Sequence, residues 1–202
     1  MIRITSVLAL LAATVALSPA RAGGTPDPDW PCVQRRQPAL SVAQVWAGPA
    51  PDETAEARAR DPQIRHLAAH IALRRTPLPE AEALVADFAA SHDTADLTAL
   101  FVASFNDIQK ARNRVMTGIT RYAHRQEALD AQINADRAEF NRLMAASPQD
   151  FDAIDQLEAR IDWSTRTFQD RQQSLTYVCE TPVILEQRAF ALGRILLARV
   201  KN

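Results

Sequence analysis

Glycine is scarce in this 202-residue chain, with only five, at positions 23, 24, 48, 118 and 193. Scattered so widely, they cannot build the clustered loop that cradles a phosphate. No Gly-x-Ser-x-Gly elbow, Ser-x-x-Lys pair, Cys-x-x-Cys or His-Glu-x-x-His occurs either, so the familiar layouts for nucleophilic, redox and zinc-protease chemistry are missing. Charge of one sign is not in excess: 23 basic residues face 24 acidic ones, for a net charge of −1. That balance gives no electrostatic footprint for nucleic acid or an anionic membrane surface. A non-enzyme is expected, with no catalytic residues and no cofactor.

One uncharged apolar run exists, Val7–Leu17, and it follows a start bearing the single cation Arg3. Ala20-Arg21-Ala22 then gives a small-x-small cleavage pattern before Gly23. This succession predicts a secretory signal peptide over 1–22, cleaved after Ala22, and a periplasmic mature protein. The run is about eleven residues, against the roughly twenty a bilayer-spanning helix needs, so no membrane span is expected after cleavage.

Only two cysteines are present, Cys32 and Cys179. In an exported chain an even number favours a disulfide; two free thiols or a redox pair are the alternatives.

Proline divides the rest. Six prolines crowd positions 26–51, then 62, 77 and 79 follow, and only Pro148 and Pro182 lie beyond. Proline lacks an N–H donor and clashes inside helices, so 23–61 reads as an extended Pro/Trp-rich arm. Trp30, Cys32, Leu40, Val45 and Trp46 make it too apolar for a free linker, and it should wrap over a helical body. Ser41–Trp46 can form one helical turn within it.

From Pro62 to residue 202 the pattern is that of a single all-helical domain. Asp61-Pro62 reads as N-cap and first helical residue, and a second short helix starts near Pro79. Asp93 or Thr94 then opens a long helix. Leu97, Phe101, Ser104, Ile108, Ala111 and Val115 alternate in steps of four and three. After one extra step of four the series resumes at Ile119, Tyr122, Gln126, Leu129, Ile133, Asp136, Phe140 and Leu143, a heptad seam with a stutter. After Ser147-Pro148, Ile154, Ile161, Phe168 and Leu175 recur every seven residues. The two runs predict an antiparallel hairpin over about 94–180 with its tip near Ala146–Asp150. Counting from that tip sets Ile161 beside Ile133 and Leu175 near Ile119 and Tyr122. Cys179 then lies near the stutter, so the bridge would tie the arm to the hairpin's neck. Thr181-Pro182 is expected to break the return helix and restart it. The apolar segment Val183–Val200 should complete a compact head with the helices of 62–88.

Two sets of candidate site residues remain. His66 and His70 are four apart and can face one metal ion from one helix, with Asp61, His92 or Asp93 as third ligand. The alternative is an ordinary surface pair. Trp163 and Met144 lie on the hairpin as candidate protein-contact anchors; packing of Trp163 on the stems of Arg160 or Arg166 is the other reading. The acidic series from Asp150 to Asp162 suits a helix start and lacks the glycine of a calcium loop.

The layout of a signal peptide, a long helix, an Ala-Ser-Pro turn, a returning helix and Thr181-Pro182 followed by Gln187 resembles the periplasmic Spy-like and CpxP-like stress proteins. The resemblance spans Thr94–Arg199. It implies a helical-hairpin homodimer that shields unfolded clients or senses envelope stress or metals. Leu97-Thr98 and Leu175-Thr176 lack the Gln of the family's Leu-Thr-x-x-Gln motif, and the arm and disulfide are additions, so no site residues carry over. The expected function is a periplasmic, non-catalytic factor that binds a protein partner of the cell envelope through its hairpin, chaperone-like or as an accessory to a complex. The alternative is metal binding or sensing through His66 and His70.

Overall fold

A computed structural model describes residues 27–200; the expected leader, 1–22, lies outside the described residues. Six helices follow one another among these: α1 (Val42–Val45), α2 (Glu53–Arg58), α3 (Pro62–Ala72), α4 (Leu78–Ala89), α5 (Thr94–Met144) and α6 (Phe151–Leu197). No strand occurs among the described residues, and none of their helices is long and apolar enough to cross a membrane. The chain is all-α.

Aspartates start most of the helices. The Asp52 carboxylate accepts from the Ala55 amide, Asp61 from Gln63 and Ile64, Asp93 from Asp96, and Asp150 from Ala153. Each satisfies amides that the first helical turn leaves without partners. The Asp93–Asp96 pair is reciprocal, and Arg58 of α2 donates to both carboxylates, at 3.0 and 2.9 Å.

α5 and α6 contain 51 and 47 residues, about 77 and 70 Å at 1.5 Å per residue. They pack antiparallel as the seam predicts. Ile119, Ile133, Asp136, Ile154 and Leu157 are buried, while the intervening positions are mostly exposed. Register is fixed by polar pairs on either side of the Ile133–Ile161 level. Arg160 donates to both oxygens of Asp136 at 3.0 and 3.1 Å, and the Gln126 amide donates to the Phe168 carbonyl at 3.2 Å.

The expected break at Pro182 does not occur, and the hairpin therefore extends past residue 180. Proline removes the bond that residue 182 would donate to the Val178 carbonyl, at a cost of about 3 kcal/mol in an isolated helix. Here the heptad positions continue through it: Pro182, Ala189 and Leu196 are all buried. Packing on both sides of the proline keeps one helix where local propensity alone would give two.

The head forms where α3 and α4 meet the first turns of α5 and the last turns of α6. Nine consecutive residues of α5, Leu97–Phe105, are buried; a helix buried on every side is the centre of its domain. Trp46 stacks on Phe101 with ring centroids 4.5 Å apart. Gly193 lets α6 approach this region, since a Cβ there would sit 2.7 Å from the Val45 carbonyl oxygen. Arg188 is buried and donates from Nε at 2.9 Å to the Ile71 carbonyl near the end of α3. It serves a carbonyl at the negative end of that helix, and burial pushes its guanidinium below the usual arginine range.

Between Asp27 and Leu40 the arm has no helix and runs antiparallel along α5. The Thr120 hydroxyl donates to the Asp29 carbonyl at 3.1 Å, and the His124 ring lies 2.6 Å from the Asp29 carboxylate. Cys32 is bonded to Cys179. Further along, buried Arg112 donates to the carbonyls of Gln37 and Pro38 and to the Glu186 carboxylate, joining arm, α5 and α6. The end of the arm differs from the expected extended chain, because Glu53–Arg58 forms α2. Asp52 caps it, Glu53 and Glu56 lie in its first turn, and Ala55 is buried.

Candidate functional site

The far end of the hairpin presents apolar side chains without cover. Met144 ends α5, Phe151 begins α6, and Trp163 lies three turns further along α6. Their exposures are 47%, 68% and 68%. The turn between the helices is held by the Gln149 amide, which donates to the Met144 carbonyl at 2.7 Å, and by the Asp150 cap. Trp163 stands beside buried Ser164 and two residues after the seam residue Ile161. Neighbouring Arg160 is committed to Asp136. About two thirds of the Trp163 residue surface is left in water. Phe151 was not expected as a site residue; its position straight after the capping Asp150 gave the apparent role of a helix start.

A second feature lies at the neck, where the arm crosses the hairpin. Asp27–Arg35 roofs a cavity of about 1170 Å³. Its floor is Tyr122, Ala123 and Gln126 of α5, and Gln172 and Leu175 of α6 close one side. Trp30 and Val33 contribute apolar surface from the arm. Tyr122 and Gln126 occupy successive seam positions and are half-buried, with the arm crossing beside them and Gln172 and Leu175 of α6 alongside. The Gln126 amide nitrogen is engaged by Phe168, whereas its oxygen is buried without a partner. The Tyr122 hydroxyl and the Gln34 side-chain oxygen are in the same condition. Burial pushes the Tyr122 phenol above its usual range, with Arg171 opposing the shift. The hint of this site in the sequence was two polar residues in succession along the seam, where Ser104 and Asp136 each stand singly among apolar positions.

The histidines are spread out. His66 is exposed on α3, and His70 one turn later has Nε2 3.4 Å from the Glu80 carboxylate of α4. Asp61, named as a third ligand, is engaged as the N-cap of α3. His92 stacks on Phe88 with centroids 3.7 Å apart, and Asp93 caps α5. Among the described residues no group of three or more His, Cys, Asp or Glu is placed to hold a metal ion. The disulfide removes both thiols from the available chemistry.

No protein-family model matches the chain, and neither the curated proteins nor the solved structures yield a match.

Proposed function

We propose that this protein is a non-catalytic protein-binding factor of the bacterial periplasm that works through the end of its helical hairpin. The observation that carries the reading is the set Met144, Phe151 and Trp163, exposed on a two-helix arm beyond the head. A tryptophan that is two thirds exposed offers on the order of 170 Å² for burial, roughly 4 kcal/mol gross at about 25 cal/mol per Å². Part of that is offset by the entropy lost on association. Two or three such anchors suit reversible contact with apolar segments of another protein, either unfolded clients or one subunit of an envelope complex. The predicted signal peptide and the disulfide agree with an oxidising, extracytoplasmic setting.

The test is photo-crosslinking in cells, with a reactive residue at position 144 or 163 and a control at exposed Arg60 on the head. A few discrete adducts make the protein an accessory subunit, a ladder of many envelope proteins makes it chaperone-like, and an adduct with itself makes it a hairpin homodimer. Adducts no stronger than at the control site would refute hairpin-mediated binding.

A further inference from the structure

We propose that residues 27–36 form a redox-controlled strap, held across the hairpin neck by the Cys32–Cys179 bond and released when a dithiol reduces it. The proposal is independent of what the hairpin tip binds.

Apart from the disulfide, little holds the segment in place. Among the described residues its hydrogen bonds to the helices are both at Asp29: the Thr120 hydroxyl donates to its carbonyl, and the His124 ring meets its carboxylate. The second pair is about half exposed on both sides, and such a pair is a weak restraint. The other polar contacts stay within the segment. Asp27 pairs with Arg36 at 3.2 Å, and the Trp30 indole donates to the Gln34 carbonyl at 2.6 Å. Val33, next to the bridge, is fully exposed.

Closure also has a cost. Four buried side-chain polar atoms among the described residues have no hydrogen-bond partner, and three belong to residues around this one cleft: Gln34 Oε1, Tyr122 Oη and Gln126 Oε1. Each is out of reach of solvent and forgoes the bond that water would give it, so the closed neck stores strain. Gln34 lies on the segment itself and hydrates as soon as the segment lifts. Lifting also takes the arm from beside Tyr122 and Gln126. With weak anchors and unpaired acceptors opposed in this way, the covalent bond decides where the segment lies.

Release has a defined limit. Buried Arg112 donates to the carbonyls of Gln37 and Pro38, and the Leu40 amide donates to the Gln109 side chain at 3.4 Å. The pivot therefore lies at 37–40, and the packing of Trp46 on Phe101 beyond it is kept. Lifting 27–36 uncovers Tyr122, Ala123 and Leu175 on the hairpin neck.

Cys179 is 4% exposed, whereas Cys32 is the more open partner, which directs attack to Cys32. One thiolate of the dithiol forms a mixed disulfide with Cys32 Sγ and expels the Cys179 thiolate, which takes up a proton. The second thiol of the reductant then displaces Cys32 Sγ, which is protonated in turn. The chain gains two electrons and two protons, and the reductant leaves as its own disulfide.

The test is NMR relaxation of the backbone amides in the full chain, before and after reduction with dithiothreitol well below the melting temperature. In the oxidised chain the order parameters of 27–36 should lie near the roughly 0.85 of rigid backbone. After reduction they should fall below about 0.6, while those of α1, α5 and α6 hold. The cause is tested by the equilibrium of the bond against reduced and oxidised dithiothreitol. Gln34→Leu and Tyr122→Phe each remove one unpaired acceptor, so each should make the bond about tenfold harder to reduce. Three results would each overturn the proposal: a segment that stays ordered with both thiols free, order lost in α5 and α6 together with it, or a bond that both variants leave no harder to reduce. A failed crosslinking experiment at the hairpin tip would leave it standing.

Discussion

Reducing the Cys32–Cys179 bond is the perturbation whose size follows most directly from the fold. The bond joins residues 147 apart in sequence, so it closes most of the described chain into one loop. In the chain-entropy model such a loop removes about 17 cal/mol/K from the unfolded ensemble, equivalent to about 5 kcal/mol at 25 °C. For a domain of this size each kcal/mol moves the melting temperature by roughly 2–4 °C, so complete reduction should lower it by about 10–20 °C. The native contacts give little reason for a larger loss, because the arm keeps its other anchors: Arg112 on the carbonyls of Gln37 and Pro38, and Trp46 on Phe101. Two probes separate global from local effects. Circular dichroism at the helix band follows α5 and α6, whereas tryptophan emission also responds to Trp30 and Trp46 on the arm. A global effect lowers both transitions together; peeling of the arm moves fluorescence first. The Cys32→Ala/Cys179→Ala double variant should reproduce the reduced protein. An unchanged melting temperature, with both thiols titrated as free, would refute the argument that this bond restrains the unfolded chain.

Two further outcomes follow from single side chains. Gly193→Ala and Gly118→Ala should act in opposite directions. The new Cβ at 193 meets the Val45 carbonyl oxygen at 2.7 Å and should cost about 1–2 kcal/mol net of the helix gain, while at 118 nothing lies within 4 Å and the substitution should stabilise by about 0.5–1 kcal/mol; urea midpoints of the two variants check the signs. Asp136 should make the hairpin acid-sensitive. Its hydrogen bonds from Arg160 hold the carboxyl below its usual range despite desolvation, so its stabilising contribution is full above about pH 4 and disappears as the pH falls further. The stability gap between the native chain and Asp136→Asn should therefore narrow as the pH falls below about 4, and a gap that stays constant would contradict the assigned pairing.

The hairpin was legible because its signal is long and redundant. Fourteen seam positions from Leu97 to Leu143 and a strict heptad from Ile154 to Leu175 leave few ways to pair the helices, and the turn at Ser147-Pro148 then sets the register. The disulfide was legible because only two cysteines exist. What escaped was tertiary in origin. Pro182 reads locally as a break, and its burial between Leu175 and Ala189 on one heptad line becomes decisive only once α5 lies alongside. α2 is a six-residue helix, too short for periodicity to show and overshadowed by the prolines before it. The neck cavity is not written in either helix. It arises where the arm, α5 and α6 meet beside Tyr122 and Gln126, a three-segment juxtaposition that a one-dimensional pattern does not contain. Trp163 and Met144, singled out from the sequence, are exposed, and so is Phe151, which opens α6 just after the turn.

Under the proposed function, in which particular side chains are presented at the tip, a uniform heptad repeat poses a problem. Sliding α6 by seven residues along α5 would still set aliphatic groups over one another, since Ile154, Ile161, Phe168 and Leu175 are near-equivalent. The polar seam positions resolve it. In the native register buried Asp136 meets Arg160, and buried Arg112 meets Glu186, whose separation in sequence is 74 residues. A slip of one heptad removes both partners at once and leaves a carboxylate and a guanidinium buried without compensation, a loss of several kcal/mol for each. The disulfide forbids the same slip covalently. Such pairs add little to stability when compared with well-packed apolar residues, and their expected contribution is to single out one register among several of similar apolar overlap. With that register fixed, Met144 and Phe151 are held on opposite sides of the turn and Trp163 stays three turns from it. Without it, the same three side chains would be offered in several arrangements, and a partner would meet only a fraction of the molecules in the form it binds.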